Sequence, residues 1–190
     1  MSFMLWKSFI LLHLKEHTMR LFLVFLITMM TTFAMAKTVK TFYPDGSKQS
    51  ETTYKDGKKN GIEHIFYPDG ATLKYSKGYV HGKLHGLQQT YSQNAMLIQE
   101  KSYNHGRLDG RSHYYQNGLL AKEIDYRNGR LDGSYKEFFP SGLIKLEIFW
   151  RNGRAMEGFN YGKDGARTSI DASILEELQG DKILDESSEK

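Results

Sequence analysis

Turns ending in one conformationally special residue recur along this chain at a fixed step, and that step limits the fold more than any other feature. The turns are Tyr43-Pro44-Asp45-Gly46, Tyr67-Pro68-Asp69-Gly70, Tyr91-Ser92-Gln93-Asn94, Tyr115-Gln116-Asn117-Gly118 and Phe139-Pro140-Ser141-Gly142. Their last residues fall at 46, 70, 94, 118 and 142, always 24 apart. Four are Gly and one is Asn94, and Asn is among the few residues that tolerate positive φ. The slot therefore reads as a left-handed backbone position that Gly or Asn fills.

A second register runs between the first: Tyr54-Lys55-Asp56-Gly57, Tyr79-Val80-His81-Gly82, Tyr103-Asn104-His105-Gly106, Tyr126-Arg127-Asn128-Gly129 and Trp150-Arg151-Asn152-Gly153. A third glycine follows four residues later at Gly61, Gly86, Gly110 and Gly133, and five later at Gly158. With Gly165 as a degenerate sixth start, these registers take 15 of the 18 glycines. The segments between turns alternate as strands do. Ile144, Leu146, Ile148 and Trp150 fall on one face, as do Leu120, Ile124 and Tyr126. Tyr-Pro-Asp-Gly suits a type I turn closed by a glycine bulge. Each unit is thus a β-hairpin, and lone hairpins are barely stable, so neighbours must pair edge to edge. The expected fold is all-β: an elongated, twisted, antiparallel single sheet of tandem hairpins, with about ten strands from five repeats.

The pattern Tyr-x-x-Gly-x-x-x-Gly at Tyr54/Gly57/Gly61, Tyr79/Gly82/Gly86, Tyr103/Gly106/Gly110 and Tyr126/Gly129/Gly133 resembles the MORN repeat, in its bacterial variant form. The resemblance covers about residues 42–165, with five to six repeats placed within 37–170. It departs from the pattern at Trp150 for Tyr, at Asn94 for Gly and at the stretched step from Gly153 to Gly158. It implies scaffolding rather than catalysis. The family name also implies membrane association, and some bacterial members are described as antitoxins of toxin–antitoxin pairs, which implies a toxin as partner.

Few residues suggest chemistry. Seven histidines raise a metal hypothesis, but His81 and His105 share the turn slot of Asp56, Asn128 and Asn152, and His85 shares that of Asn60, Asp109 and Asp132. Polar turn residues belong there. The chain has no cysteine, which excludes disulfides, thiol catalysis and Cys-ligated metal. No nucleophile motif, phosphate loop or dinucleotide fingerprint occurs. Neither an enzyme nor a cofactor is expected. The candidate binding residues are instead two aromatic columns, Tyr67, Tyr91, Tyr115 and Phe139, and Tyr79, Tyr103, Tyr126 and Trp150. Tyr43 and Tyr54 head these columns, while Phe42, Phe66, Tyr114 and Phe138 precede the first and point to the opposite face. One sheet cannot bury aromatics on both faces, and leftover apolar surface marks a partner site.

The two ends read differently. Met19-Arg20, the apolar run Leu21 to Met30 and the small-x-small site Ala34-Met35-Ala36 have the order of a signal peptide. Residues 1–36 are therefore expected to be a cleaved leader, with residues 1–18 an over-extended start ahead of Met19. A periplasmic or secreted protein follows. Beyond residue 36 the body carries 21 bases and 14 acids up to Ile170, then seven acids and two bases from Asp171 to Lys190. That balance suggests weak affinity for anionic membrane. The expected partner is another protein, with no nucleic acid. Ser173-x-x-Glu176 reads as a capping box opening a short helix that covers the last repeat, with Ile174, Leu175 and Leu178 on one side and Gly180 as stop. A disordered acidic tail follows from Asp181.

Overall fold

The computed structural model describes residues 35–178. The leader apart from Met35 and Ala36, the expected stop at Gly180 and the acidic tail lie outside the described residues.

The strands are β1 (Lys37–Phe42), β2 (Lys48–Lys55), β3 (Lys58–Phe66), β4 (Leu73–Val80), β5 (Lys83–Tyr91), β6 (Leu97–Asn104) and β7 (Arg107–Leu108). Then follow β8 (Gly110–Gln116), β9 (Leu119–Arg127), β10 (Arg130–Phe138), β11 (Ile144–Arg151), β12 (Arg154–Tyr161), β13 (Arg167–Ser169) and helix α1 (Ala172–Glu177). They form one open sheet of 13 strands in chain order, with β7 paired to β6. All pairings are antiparallel. The all-β hairpin expectation holds. The strand number exceeds ten because β12 and β13 extend the array and Asp109 divides one strand into β7 and β8.

The turns explain this regularity. At Asp56-Gly57, His81-Gly82, His105-Gly106, Asn128-Gly129 and Asn152-Gly153 both residues have positive φ, from 48° to 88°. That is the type I′ signature, whose twist matches the flanking strands. Each of these turns from the second onward is tied to the repeat before it. The N–H groups of Gly82, Gly106, Gly129 and Gly153 donate to the carbonyls of Lys59, Leu84, Leu108 and Leu131 at 2.7–2.8 Å.

The first register needs correction. The left-handed residue of the third turn is Ala95, at φ 58°, and Asn94 is not among the positive-φ residues. The N–H of Ser92 donates to Met96 O just as Tyr43 donates to Ser47 O and Phe139 to Leu143 O. The turn therefore starts at Ser92, one residue later than the 24-residue step implies. The fourth is a two-residue turn, Asn117-Gly118, with Gln116 and Leu119 paired across it. Tyr91 and Tyr115 are consequently strand-end residues equivalent to Phe42, Phe66 and Phe138, whereas Tyr43, Tyr67 and Phe139 open turns. The first aromatic column is two structural rows.

Alternation along the strands separates two faces. The inner face holds the core: Ile124, Tyr126, Leu131, Tyr135, Ile148, Trp150 and Leu175. Its middle row runs strand to strand as Thr52–Glu63–Lys77–Gln88–Lys101, then Ser112–Ile124–Tyr135–Ile148–Gly158. The outer face carries a polar row in the same ladders: Lys40–Glu51–His64–Ser76–Gln89–Glu100, then His113–Glu123–Lys136–Glu147.

The C-terminal cap differs from its sequence reading in three respects. Asp171, not Ser173, is the N-cap, and its carboxylate accepts from the Ser173 N–H and hydroxyl, both at 3.1 Å. Ile174 points outward, 53% exposed, while Leu175 is buried. The helix covers the inner face rather than the sheet edge, which β13 pairs instead. Gly158 is explained by this contact. A Cβ there would lie 2.9 Å from Ile170 Cδ1 and 3.1 Å from Leu175 Cδ2, so the residue makes room for the cap. It has none of the positive φ of Gly61, Gly86, Gly110 and Gly133.

Candidate interaction surfaces

Of the proposed aromatic columns, the second lies on the inner face. Tyr79 pairs with Leu84, Tyr103 with Leu108, Tyr126 with Leu131 and Trp150 with Ala155. Burial deepens along the row. Tyr79 and Tyr103 are half-buried, whereas Tyr126 and Trp150 are each 4% exposed and present no surface to a partner. Burial pushes the phenol pKa values of Tyr79, Tyr103 and Tyr126 upward, so these hydroxyls stay protonated as donors. The Tyr79 hydroxyl donates to Glu63 Oε2 at 3.0 Å. Glu63, itself buried, also accepts from Thr52 Oγ1 at 3.2 Å and from Lys59. Burial opposes its ionisation, but the Lys59, Tyr79 and Thr52 hydrogen bonds outweigh that and hold Glu63 below its ordinary pKa.

Two members of the first column fasten repeats together. Tyr43 OH donates to Phe66 O at 2.8 Å and Tyr67 OH to Tyr91 O at 2.9 Å, each one repeat onward. Tyr91 OH donates to Gln89 Oε1 at 3.0 Å and Tyr115 OH to Glu100 Oε2 at 3.3 Å. All four are half-buried, as is Phe139. Phe139 and Pro140 line a notch of roughly 120 Å³ with Leu119, Leu120, Ala121 and Phe138.

The notch belongs to a feature that the aromatic pattern did not disclose. Along the margin formed by the first-register turns, the residue just after each turn is Ser47, Thr72, Met96, Leu119 or Leu143. The last three are 44%, 52% and 52% exposed, and Ile98 beside Met96 is 41% exposed. The signal was available in the sequence. An apolar residue repeatedly placed directly after a turn falls at a loop tip, where no core exists to receive it.

The second-register margin is polar. The His85 and His105 rings meet edge to face with centroids 5.0 Å apart. In the next two repeats the equivalent contacts are Asp109 Oδ2 accepting from Asn128 N and Asp132 Oδ2 from Asn152 N, both at 3.3 Å. These histidines thus sit in a turn-to-turn contact slot. Among the described residues no group of three or more His, Asp and Glu is arranged to hold a metal.

The outer face is lined with ion pairs. Arg111 contacts Asp125 at 2.8 Å and Glu123 at 3.1 Å, His113 lies between Glu100 at 3.8 Å and Glu123 at 3.5 Å, and Lys136 meets Glu147 at 3.4 Å. Burial raises the Asp125 pKa, but Arg111 and the Ser134 N–H and hydroxyl outweigh it and hold the carboxyl below its ordinary value. Exposed pairs of this kind contribute little individually and favour a hydrated face.

The family model described as MORN repeat variant matches residues 37–56, which comprise β1, the first turn, β2 and Asp56. No curated protein matches the chain. The matched unit is a strand, a Tyr-Pro-Asp-Gly turn and a second strand leading into a type I′ turn, and that construction continues through β12. Over residues 37–56 the chain is similar to the MORN repeat variant, a type of repeat that generally serves as a protein- or membrane-binding module.

Proposed function

We propose that this chain is an exported, non-enzymatic scaffold of the cell envelope that binds another protein along its first-register margin. The observation carrying this reading is that Met96, Ile98, Leu119 and Leu143 are exposed at the same margin in three successive repeats, with Leu119 lining the notch beside Phe139. Scattered surface apolar residues need no explanation, but their recurrence at one margin, repeat after repeat, favours a partner site. Half-buried Tyr91, Tyr115 and Phe139 would form the floor of that site, so part of the first aromatic column contributes.

Export is supported by the order of charge, apolar run and small-x-small site ahead of Lys37. Both β1 and the family match begin at Lys37, so cleavage after Ala36 would remove no strand residue. Sequencing the N-terminus of the protein recovered from cells should give a start near Lys37, and retention of the apolar run would exclude this location.

Binding is tested by photo-crosslinking in native cells from residues placed singly at Leu119, Leu143 and, as an outer-face control, Thr53. A discrete adduct from the two leucine positions, lost in a Leu119→Asp/Leu143→Asp variant carrying the crosslinker at Met96, is expected. Equal labelling from Thr53, or no adduct from any position, would refute the assignment.

A further inference from the structure

The opposite margin has its own character. The residue following the glycine of every second-register turn is basic: Lys58, Lys83, Arg107, Arg130 and Arg154. All five are exposed. Three turns carry a second exposed cation just before them, namely Lys55, Arg127 and Arg151. The Asp109 and Asp132 carboxylates accept from the backbone of the following turn, and Asp132 also meets Arg127 at 3.9 Å, so of the nearby cations Arg127 is partly neutralised.

The cations are also held in line. Each second-register turn from the second on is hydrogen-bonded to the previous repeat through its glycine N–H. A Cβ at Gly82, Gly106 or Gly129 would lie 3.7–4.0 Å from the Cβ of Lys58, Lys83 or Arg107, so each turn stacks on the basic residue of the repeat before it. Two strands separate successive members, a step of about 10 Å, so five cations make a ladder roughly 40 Å long.

We propose that this margin binds a linear polyanion, an acidic polysaccharide, laid along the stacked turns. A ladder on the rim of a single sheet presents a line of charge and not a plane, which suits an extended chain better than a membrane surface. The tyrosines beside these turns face inward, leaving no stacking platform for the bases of a nucleic acid. An acidic polysaccharide carries an anionic group every one or two sugar rings, a spacing of the same order as the repeat. Binding would then be ionic, additive over the repeats and dependent on chain length.

The test is titration of the full-length protein with a long sulfated glycosaminoglycan, its disaccharide, phosphatidylglycerol vesicles and duplex DNA at several salt concentrations. The long glycan should bind tightest and weaken steeply with salt. Arg107→Gln/Arg130→Gln/Arg154→Gln should lower its affinity by roughly tenfold or more and reduce the salt slope by about three. Lys48→Gln/Lys145→Gln/Lys163→Gln, which removes equal charge from the other margin, should change affinity less than about twofold. Circular dichroism confirms folding of each variant, and Lys58→Gln/Lys83→Gln replaces the arginine triple if that one unfolds. Equal loss in the control, equal affinity for the disaccharide, or tighter binding to vesicles or duplex overturns the proposal. None of these outcomes bears on the first-register margin, so the protein-binding reading stands or falls separately.

Discussion

From Thr52 to Lys101 the middle row of the inner face reads Thr, Glu, Lys, Gln, Lys; from Ser112 to Gly158 it reads Ser, Ile, Tyr, Ile, Gly. The backbone is the same hairpin array throughout, so the two halves differ in what fills it. The second half buries aliphatic and aromatic side chains and is closed by Leu175. The first buries Thr52, Glu63 and Gln88; Thr52 donates to Glu63 and the Gln88 amide nitrogen to Gly78 O, while Gln88 Oε1 is buried with no partner. Buried polar networks fix geometry well but add little net stability, whereas apolar burial contributes roughly 25 cal/mol per Å². The junction lies where β6 meets β7 and β8. There the direct partners are Tyr103–Leu108, Asn104–Arg107, Gln99–Tyr114 and Glu100–His113, and Asp109 interrupts the strand.

The largest expected effect follows from the second half. Leu131 is 1% exposed at the centre of the apolar core. Leu131→Ala should cost about 3 kcal/mol in denaturant unfolding. Leu84→Ala, the equivalent change in the polar half where the leucine is only half-buried, should cost less than half as much. Equal losses would erase the distinction between the halves.

Acid should separate the halves next. Glu63 titrates in the folded state below its ordinary value of 4.5, so the stability it confers is present above that pH and is lost as the pH falls through the lower folded value. Asp125 and Glu137 shift in the same direction, but an apolar core backs them. Hydrogen exchange followed from neutral pH down to pH 3 should therefore show β2–β5 losing protection before β9–β12. Glu63→Gln should cost about 1–2 kcal/mol at neutral pH by weakening the bonds from Lys59, Tyr79 and Thr52. It should also flatten the acid sensitivity of the first half.

Two smaller effects sharpen the comparison. Ala95 holds a left-handed backbone in an exposed turn, so Ala95→Gly should stabilise by about 1 kcal/mol, read as a raised melting temperature. Ser112, 0% exposed at the junction, buries a hydroxyl with no hydrogen-bond partner. Ser112→Ala should be neutral or stabilising by under about 1 kcal/mol, since it removes a desolvated polar group. A clear loss of stability would mean that the junction depends on that hydroxyl.

Much of this fold was legible in the residues, for identifiable reasons. Type I′ turns demand positive φ twice, and the Asp, His or Asn followed by Gly at each second-register turn announces that demand. The inner face could be read from alternation at Ile148 and Trp150, where the row is apolar. The same row at Glu63, Lys77 and Gln88 was opaque, because alternation reads hydrophobicity and these positions carry none. The third turn was misplaced since Asn94 suits a left-handed slot better than Ala95. Pairing across β5 and β6 decided otherwise. Likewise Ser173 and Asp171 are both good helix caps, and the bond from Ile170 N–H to Gly158 O fixes the chain so that Asp171 takes the role. The exposed row at Met96, Leu119 and Leu143 gives a faint sequence signal, because single aliphatic residues next to turns form no alternating pattern and stand among more conspicuous aromatics.

The glycine links between stacked turns carry a last implication. Their members, Gly82, Gly106, Gly129 and Gly153, are separated by intervals of 24, 23 and 24 residues, yet each reaches the same carbonyl of its predecessor. Length variation is absorbed at the strand bulges and the opposite turns and never accumulates along this seam. The molecule therefore behaves as a ruler whose graduations stay true although its units are unequal. Duplicating or deleting one unit would change its length by about 10 Å and leave every remaining mark in phase.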